Sequence, residues 1–287
     1  MKILLIGADG QLGTDIQKVI DKNELIPLTI ADIDVTDREN VSNIIKKHSP
    51  DVVINTSAYH RVDDCEDNDE PAFKVNAIGV KNLCLACKEI DCELLHISTD
   101  YVFDGNKGSP YVESDCPNPG TVYGISKLAG ENYIRYMLSK YYIVRSSGLF
   151  GVRGCMATGG RNFIEMMLHL AREKGHVRVV TDQIVSPTYT LDLARKISQL
   201  IKTRKYGTYH ITNNGQCSWH EFANKIFELT DIKVKLEKTT TGEFKSKAKR
   251  PAYSVLDNYN LRKIGLDDLP TWDKALKAYL DEKKKVK

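Results

Sequence analysis

The feature that most constrains the fold is a glycine-rich turn near the start of the sequence. The turn contains Gly7, Gly10 and Gly13. An apolar segment, 2–7, ends at the first of these glycines, and an amphipathic stretch, 11–22, contains the last. The apolar run predicts a buried strand and the amphipathic stretch predicts a helix. Glycines at this junction permit a tight turn and a close approach of the backbone to a pyrophosphate at the helix amino terminus. The sequence therefore predicts a dinucleotide site with contacts from Gly7, Gly10, Gln11, Leu12 and Gly13.

Short apolar runs alternate with amphipathic stretches through the first half of the chain. The predicted strands cover 2–7, 24–30, 51–58, 92–103 and 141–151, and the predicted helices cover 11–22, 37–48, 70–90 and 124–138. Right-handed crossovers place such helices on both faces of a parallel sheet. This order predicts an α/β fold built on a doubly wound, Rossmann-type sheet.

The second half is less regular and predicts a smaller, mixed α/β substrate lobe. Its predicted elements are helices at 159–174, 191–203 and 219–230, extended chain at 176–190 and a strand at 207–212. We expect a dinucleotide-binding domain over 1–150 and a mainly substrate-binding lobe over 151–287, with 190–212 returning to the main sheet. Ser218 and Glu221 have the spacing of a capping box. The basic end, 282–287, is expected to be a frayed, solvated terminus.

Composition argues against several classes of function. A net charge of +3 is small for 287 residues and does not favour nucleic-acid binding. No apolar run approaches the roughly 20 residues that cross a bilayer, and no secretory signal is evident, so we expect a cytoplasmic protein without a membrane role. The chain has 7 cysteines, and Cys84 and Cys87 fall within a predicted helix without a second ligand pair. They are interpreted as core thiols, and no metal site is expected.

Polar residues at the ends of predicted strands supply further cofactor contacts. Asn55, Ser57 and Ala58 end the third predicted strand, and Tyr59 follows it; these residues would line the ribose and phosphates. Asn76 is either a satisfied core amide or an orienting group of the site.

Acidic residues after the second strand bear on the choice of cofactor. Asp34, followed by Val35, lies about 20 residues beyond the turn, where an acidic side chain meets the adenosine. The same segment offers helix caps at Thr36 or Asp37, and both interpretations stay open. No arginine stands between 28 and 33 to take a 2′-phosphate, which argues against strict NADP dependence. NADPH and NADH both remain candidate cofactors.

The residues Tyr123 and Lys127 begin a predicted helix with the spacing that places two side chains on one face. A tyrosine of pKa about 10 becomes an efficient acid at neutral pH only if its surroundings lower that pKa. We expect the Lys127 ammonium, together with the positive nicotinamide ring, to lower the pKa of Tyr123, and Lys127 to hydrogen-bond a cofactor ribose. Ser98 and Thr99 end an apolar strand. Ser98 is a predicted cofactor contact. The Thr99 hydroxyl would share hydrogen bonding to the substrate oxygen with Tyr123.

These motifs together resemble a known family. The strings DVVINTSAY, STDYVFDG, VYGISKLAGE and RPAYSVLDN are similar to those of extended short-chain dehydrogenase/reductases, and specifically of dTDP-4-dehydrorhamnose reductases. The resemblance runs nearly end to end. It implies a Thr99/Tyr123/Lys127 triad and hydride delivery from NADPH or NADH to the 4-keto group of a nucleotide-linked deoxysugar.

Two positions refine the resemblance. Related dehydratases commonly place an Asp-Glu pair beside the threonine, whereas Asp100 is here followed by Tyr101, which disfavours elimination of water. The reductases usually carry a tryptophan where this chain has Gly148. That departure keeps a second interpretation open, a non-catalytic dinucleotide-binding subunit like the regulatory subunit of methionine adenosyltransferase. An extended-family epimerase is a third.

The remaining candidates concern a nucleotide-sugar substrate. Arg161 and Asn162 open a predicted helix whose amino terminus would hold a diphosphate. The basic segment 245–251 contains Arg250, the preferred anion contact, and three lysines that either bind the nucleotide or face solvent. The full set of predicted substrate contacts is Thr99, Asp100, Tyr101, Phe103, Gly148, Arg161, Asn162 and Arg250. The sequence leaves the oligomeric state open, a homodimer included.

Overall fold

A computed structural model describes residues 1–155, 159–244 and 246–286 of the chain. Its strands are β1 (Ile3–Ile6), β2 (Leu25–Leu28), β3 (Val52–Asn55), β4 (Glu93–Thr99), β5 (Tyr141–Ser146), β6 (Leu149–Phe150), β7 (His176–Val180), β8 (Ile184–Val185), β9 (Thr188–Tyr189), β10 (Gly207–His210), β11 (Cys217–Ser218) and β12 (Lys235–Thr239). Six of them form the central sheet in the order β10-β5-β4-β3-β1-β2. Every pairing in that sheet is parallel.

The helices alternate with the strands of this sheet through the first half of the chain. The helices of both halves are α1 (Gln11–Val19), α2 (Arg38–His48), α3 (Val62–Cys65), α4 (Asp69–Phe73), α5 (Val80–Ile90), α6 (Val122–Met137), α7 (Phe163–Lys174), α8 (Thr190–Leu200), α9 (Trp219–Thr230), α10 (Thr241–Phe244), α11 (Tyr259–Lys263) and α12 (Trp272–Val286). A π-helical segment, Lys74–Gly79, joins α4 to α5, and a 3₁₀ turn, Asp100–Val102, follows β4. No helix in the described part of the chain is long and apolar enough to span a bilayer.

Each face of the central sheet has its own apolar core. Leu5 of β1 packs with Ile16 of α1 and Leu193 of α8 on one face. Leu4, the next residue along the strand, packs with side chains of α2, α5 and α6 on the other face, because successive side chains of a strand point in opposite directions. Cys84 and Cys87 are buried in this second core, and the described residues contain no cluster suited to a metal ion. The predicted doubly wound α/β fold is confirmed.

A third apolar core lies in the second half of the chain. Phe150, Phe222 and Tyr279 belong to it, together with apolar residues of α7, α9 and α12. β7 pairs with β12 in parallel, whereas β8 pairs with β11 antiparallel, so this lobe is of mixed α/β type. Ser218 and Glu221 form the predicted capping box of α9. β10 belongs to the central sheet and pairs with β5; the division into domains at residue 150 stays a prediction.

The carboxyl-terminal segment differs from the sequence prediction of a frayed end. Residues up to Val286 belong to α12. Lys18 of α1 donates to Glu282 at 2.7 Å, and the Tyr189 hydroxyl donates to the same carboxylate. Lys283 donates to the carbonyl oxygen of Val152 at 2.8 Å. The prediction of a frayed end was wrong for Glu282 and Lys283. The helix is held in place because Leu276, Tyr279 and Leu280 bury one of its faces, which brings these two charged side chains to their partners. Lys287 lies outside the described residues.

Candidate active site

The glycine-rich turn lies between β1 and α1. Gly7 has a φ of 81°, in the left-handed region that a side chain disfavours. Gly10 is the N-cap residue of α1, and no side chain caps the helix there. The positive end of the helix dipole is therefore left without a capping side chain, an arrangement that fits the pyrophosphate of a dinucleotide.

A cavity of about 320 Å³, here called the reaction cavity, adjoins this turn. It includes the ends of β4 and β5 and the start of α6, where ligands of open α/β sheets bind. The predicted site residues that line it are Gly10, Gln11, Leu12, Ala58, Ser98, Thr99, Asp100, Tyr101, Tyr123, Lys127 and Gly148. The glycine-rich turn and the predicted reacting groups thus share one cavity.

The reaction cavity has members that the sequence prediction missed. They are His60, Val62, Ile97, Ser146, Leu149 and Cys155. Ser146 ends β5, so the rule that strand ends line the site would have found it. His60 and Cys155 lie 3.4 Å apart, Nε2 to Sγ, and no local motif marks either of them.

Tyr123 and Thr99 both line the reaction cavity, and a hydrogen bond joins their side chains. Thr121 caps α6 by accepting from the Gly124 N–H at 3.1 Å, which places Tyr123 in the first turn of the helix. Burial raises the pKa of Tyr123, and a hydrogen bond with Thr99 opposes that rise. The Thr99 hydroxyl also lies within hydrogen-bonding distance of Asp100 Oδ1, at 3.0 Å. The charges of Asp100, Tyr101 and Cys65 add to the rise. The lowering of the Tyr123 pKa by Lys127 and a nicotinamide ring stays a prediction.

Lys127 is directed at β4. Its Nζ donates to the Ile97 carbonyl oxygen at 2.6 Å and lies 3.1 Å from His96 Nε2. Burial lowers the pKa of Lys127 to about 7, although the charge of Glu131 opposes the change. Desolvation thus opposes the charged form of Lys127. The effect of a Lys127 ammonium on Tyr123 stays a prediction.

Ser98 and Asp100 have partners within the protein. Ser98 donates to Glu131 Oε1 at 2.5 Å, and Arg145 holds the two oxygens of this carboxylate at 2.9 and 2.7 Å. Ser147 donates to Asp100 Oδ2 at 2.9 Å, and burial raises the pKa of Asp100. Glu131 was not among the predicted site residues, although it ends the string VYGISKLAGE.

Twelve predicted residues lie outside the lining of the reaction cavity. They are Gly7, Gly13, Asp34, Val35, Asn55, Ser57, Tyr59, Asn76, Phe103, Arg161, Asn162 and Arg250. The Asp34 carboxylate accepts from the N–H and hydroxyl of Thr36, at 2.9 and 2.8 Å, and Val35 is buried beside it. Asp37 is the residue that caps α2. Phe103 is buried and stacks on Tyr111.

Asn76 is a buried amide whose hydrogen bonds are all made within the protein. Its Oδ1 accepts from the Tyr59 N–H at 2.9 Å, and its Nδ2 donates to the Tyr59 carbonyl at 2.9 Å and to Ser126 Oγ at 3.0 Å. It therefore fixes the chain after β3 against α6. Of the two interpretations left open, this geometry corresponds to the satisfied amide.

Asn162 caps α7 by accepting from the Glu165 N–H at 3.0 Å, and the reciprocal bond completes a capping box. Its Nδ2 donates to the Gly151 carbonyl at 3.0 Å and to the Tyr279 hydroxyl at 3.2 Å. Arg161, next to it, is exposed. The side chain of Asn162 is thus used inside the second lobe.

A second cavity, of about 470 Å³, lies against the reaction cavity and shares Tyr101 with it. Its wall combines the aromatic rings of Phe163, Trp219 and Phe244 with the cationic side chains of Arg178 and Arg250. The Trp219 ring carbon Cη2 lies 3.5 Å from the position that a Cβ on Gly148 would take. An indole from α9 therefore occupies the space beside the glycine.

Arg250 lies at the junction of the two cavities. It donates to the Tyr101 hydroxyl at 3.1 Å and to Asp63 at 2.6 Å. Of the neighbouring lysines, Lys247 pairs with Asp67 and Lys249 lines a separate cavity of about 220 Å³. Lys245 lies outside the described residues.

The comparisons with known proteins agree with this geometry. The family model described as "RmlD substrate binding domain" matches residues 1–285. The chain belongs to the RmlD family. The resemblance drawn from the sequence motifs is therefore confirmed.

Relatives within the RmlD family match this chain over nearly its whole length. The dTDP-4-dehydrorhamnose reductase of Aggregatibacter actinomycetemcomitans is 37% identical over 96% of this chain and 97% of its own. The spore coat polysaccharide biosynthesis protein SpsK of Bacillus subtilis is 39% identical, with 98% of each chain covered.

Solved structures of the RmlD family agree with the fold. A dTDP-4-dehydrorhamnose reductase of Clostridium acetobutylicum has a TM-score of 0.94 at 45% identity, covering 99% of this chain and 100% of its own. That of Bacillus anthracis, solved in complex with NADP, has a TM-score of 0.94 at 38% identity, covering 98% and 100%.

Proposed function

We propose that this protein is an NADPH- or NADH-dependent reductase that converts dTDP-4-dehydrorhamnose to dTDP-rhamnose. The observation that carries the proposal is the reaction cavity, which joins a phosphate-binding turn to Thr99, Tyr123 and Lys127. Relatives that bear this activity in their names match nearly the whole chain, and one was solved with NADP.

The residues of the glycine-rich turn fit the dinucleotide. Gly7, Gly10, Gln11, Leu12 and Gly13 would hold the pyrophosphate at the start of α1. Asp34 and Val35 are proposed to meet the adenosine, and Asn55, Ser57, Ala58, Tyr59, Asn76 and Ser98 to shape the wall beside the ribose and nicotinamide. The bound cofactor supplies the hydride.

Tyr123 is the proposed proton donor. Reduction needs one proton at the carbonyl oxygen, and a phenol whose pKa is raised by burial is protonated at neutral pH. Thr99, which shares a hydrogen bond with Tyr123, would hold the same oxygen. Lys127 would fix a ribose hydroxyl of the cofactor. Tyr101, which follows Asp100, supplies no second carboxylate, so the cavity is equipped for reduction and lacks the acid–base pair of the dehydratases.

The substrate is proposed to extend from the reaction cavity into the second cavity. Thr99, Asp100, Tyr101, Phe103 and Gly148 surround or support the sugar end. Arg250 and Arg178 supply positive charge suited to a diphosphate, and the rings of Phe163 and Trp219 suit a nucleotide base. Arg161 and Asn162 remain proposed contacts from the second lobe, and a homodimer remains a proposed assembly.

The test measures oxidation of NADPH and NADH by purified protein supplied with dTDP-4-dehydrorhamnose. We expect turnover, and we expect Tyr123→Phe to reduce kcat by at least about 100-fold, since general acid catalysis contributes that much or more. Tyr136→Phe is the matched control, because Tyr136 lies on the same helix and is 89% exposed. Cofactor binding without turnover, with co-purification of a larger enzyme, would instead indicate a regulatory subunit. Product formation without net cofactor consumption would indicate an epimerase.

A further inference from the structure

His60 and Cys155 form a pair of side chains in the reaction cavity to which the proposed reduction gives no part. Cys155 Sγ lies 3.4 Å from His60 Nε2, and both residues line the cavity. His60 is exposed and Cys155 is partly exposed, so a small molecule in solvent can reach the pair. An imidazole in contact with a thiol is an arrangement that makes a cysteine nucleophilic.

The backbone on each side holds the pair in place. Asn76 makes two hydrogen bonds, both at 2.9 Å, to the backbone of the residue before His60. On the other side, the carbonyl oxygen of Cys155 accepts from the Gly160 N–H at 2.9 Å, and Gly154 turns the chain with a φ of 78°. The contact therefore joins two anchored segments, one after β3 and one after β6.

The Ala58 carbonyl sets the direction of the hydrogen bond between the two side chains. His60 Nδ1 lies 3.1 Å from the Ala58 oxygen, which can only accept, so the proton of a neutral imidazole lies on Nδ1. Nε2 then carries the lone pair, and the Cys155 thiol donates to it. Transfer of the thiol proton gives a thiolate beside an imidazolium whose Nδ1–H stays bonded to the carbonyl.

The charged neighbours leave this proton transfer available. The hydrogen bond with Cys155 is the largest influence on the pKa of His60 and raises it, whereas burial and the charge of Lys127 lower it. On balance the pKa of His60 is raised, so the contact makes this imidazole a better proton acceptor. The other titratable groups nearby are Arg61 on the same segment and Asp100, Tyr101 and Tyr123 on the cavity wall.

We propose that Cys155 is a modification site, whose thiol is activated by His60 and forms a mixed disulfide with low-molecular-weight disulfides that enter the reaction cavity. The thiolate attacks one sulfur of the disulfide, and a new S–S bond forms as the original S–S bond breaks. The leaving thiolate takes the proton that His60 accepted. One disulfide is consumed and one free thiol is released, so the exchange needs no other oxidant.

The mixed disulfide closes the reaction cavity. The group attached to Cys155 lies in a space of about 320 Å³ whose wall also includes Gly10, Gln11 and Leu12 of the glycine-rich turn. The cofactor and this group therefore compete for one space, and a reducing thiol reopens it by reversing the exchange. This consequence rests on the proposed function, because it takes the reaction cavity as the cofactor site.

The first test follows the reaction of the native protein with dithiodipyridine, a small aromatic disulfide, and identifies the labelled cysteine by peptide mass spectrometry. Cys116 is the internal reference, because it is the more exposed of the two thiols and its Sγ contacts the Pro117 carbonyl. At pH about 6.5 we expect Cys155 to react at least about fivefold faster, since an ordinary thiol is only about 1% thiolate there and a larger thiolate fraction is partly offset by lower nucleophilicity. Equal or slower reaction of Cys155 would overturn the proposal.

His60→Gln tests the activation of the thiol. Glutamine can accept a hydrogen bond from Cys155 but does not take up its proton, so the rate at Cys155 should fall to about that at Cys116. His176→Gln is the matched control, because His176 is also exposed and its Nδ1 contacts the carbonyl two residues back at 3.1 Å. We expect the control to keep the wild-type rate. An unchanged rate in His60→Gln, or an equal loss in both variants, would refute the role of His60.

The last measurement is a fluorescence titration of NADPH before and after treatment with dithiodipyridine, in Cys116→Ser and in Cys155→Ser. We expect treatment to weaken NADPH binding to Cys116→Ser by at least about tenfold, dithiothreitol to restore it, and Cys155→Ser to keep its own untreated affinity. Unchanged affinity in Cys116→Ser labelled at Cys155 would overturn the closure of the cavity. Loss of the proposed function would show differently, as untreated wild-type protein that does not bind NADPH, and the labelling rates would still decide the activation of Cys155.

Discussion

The packing of α1 on the glycine-rich turn depends on the absence of a side chain at Gly13. A Cβ there would lie 2.2 Å from the Gly7 carbonyl oxygen and 2.8 Å from the Ala8 Cα. These are backbone atoms, so no side chain can rotate away, and a normal contact requires α1 to move by about 1 Å. Overpacking of this kind costs about 1–3 kcal/mol, here at the upper end, while alanine regains about 1 kcal/mol of helix propensity.

We therefore expect Gly13→Ala to lower the free energy of unfolding by about 2 kcal/mol. Since the displaced helix start is also the proposed pyrophosphate site, NADPH affinity should fall by about tenfold or more, which corresponds to a loss of at least about 1.4 kcal/mol of binding free energy. Denaturant unfolding measures the first effect, and a fluorescence titration with NADPH measures the second.

Gly242→Ala is the matched control for this experiment. Gly242 is also helical, in α10, but no described atom lies within 4 Å of the position its Cβ would take. Alanine should therefore leave stability unchanged or raise it by up to about 1 kcal/mol. If Gly13→Ala unfolds at the wild-type denaturant concentration and binds NADPH with wild-type affinity, the steric argument is wrong.

Two further predictions concern buried polar side chains. Burial raises the pKa of Glu131, but the hydrogen bonds and charge of Arg145 outweigh burial and hold that pKa at about 2. The carboxylate therefore stabilises the fold above pH 4.5, its ordinary pKa, and loses this contribution as the pH falls toward 2. Glu131→Gln should lower stability at pH 7 by about 3–5 kcal/mol and flatten the acid-unfolding curve, and an unchanged curve would contradict this. Asn162→Ala should cost about 1–2 kcal/mol of stability by removing the cap of α7, and unchanged stability would contradict this. A raised KM in the same variant would support the proposed substrate contact, and an unchanged KM would contradict it.

Much of the reaction cavity could be predicted from the sequence because it follows from sheet geometry. The glycine-rich turn and Thr99 each follow an apolar run, and the carboxyl ends of parallel strands meet at one edge of the sheet. Tyr123 and Lys127 follow in the next helix at the spacing of one face. Local order and strand polarity were enough to place these residues together.

The protonation of the site could not be predicted in the same way. The sequence indicates that Lys127 is near Tyr123, but not that its Nζ is directed at His96 and the Ile97 carbonyl. Burial and partners drawn from distant segments decide the pKa of both residues. Asn162 shows the same limit, since an asparagine at a helix start serves equally well as a cap or as a ligand contact.

The π-helical segment Lys74–Gly79 has a consequence for how this chain can vary. A π-turn holds one residue more than an α-turn, so no substitution removes it, whereas deletion of one residue would restore α-helical hydrogen bonding. Such a deletion would leave Leu83 facing the core, because the i→i+5 bond of a π-turn and the i→i+4 bond of an α-turn each close one turn of helix. The π-helical segment thus holds one residue more than a continuous α-helix needs, and the chain can lose that residue here with less disturbance than in the α-helical turns on either side.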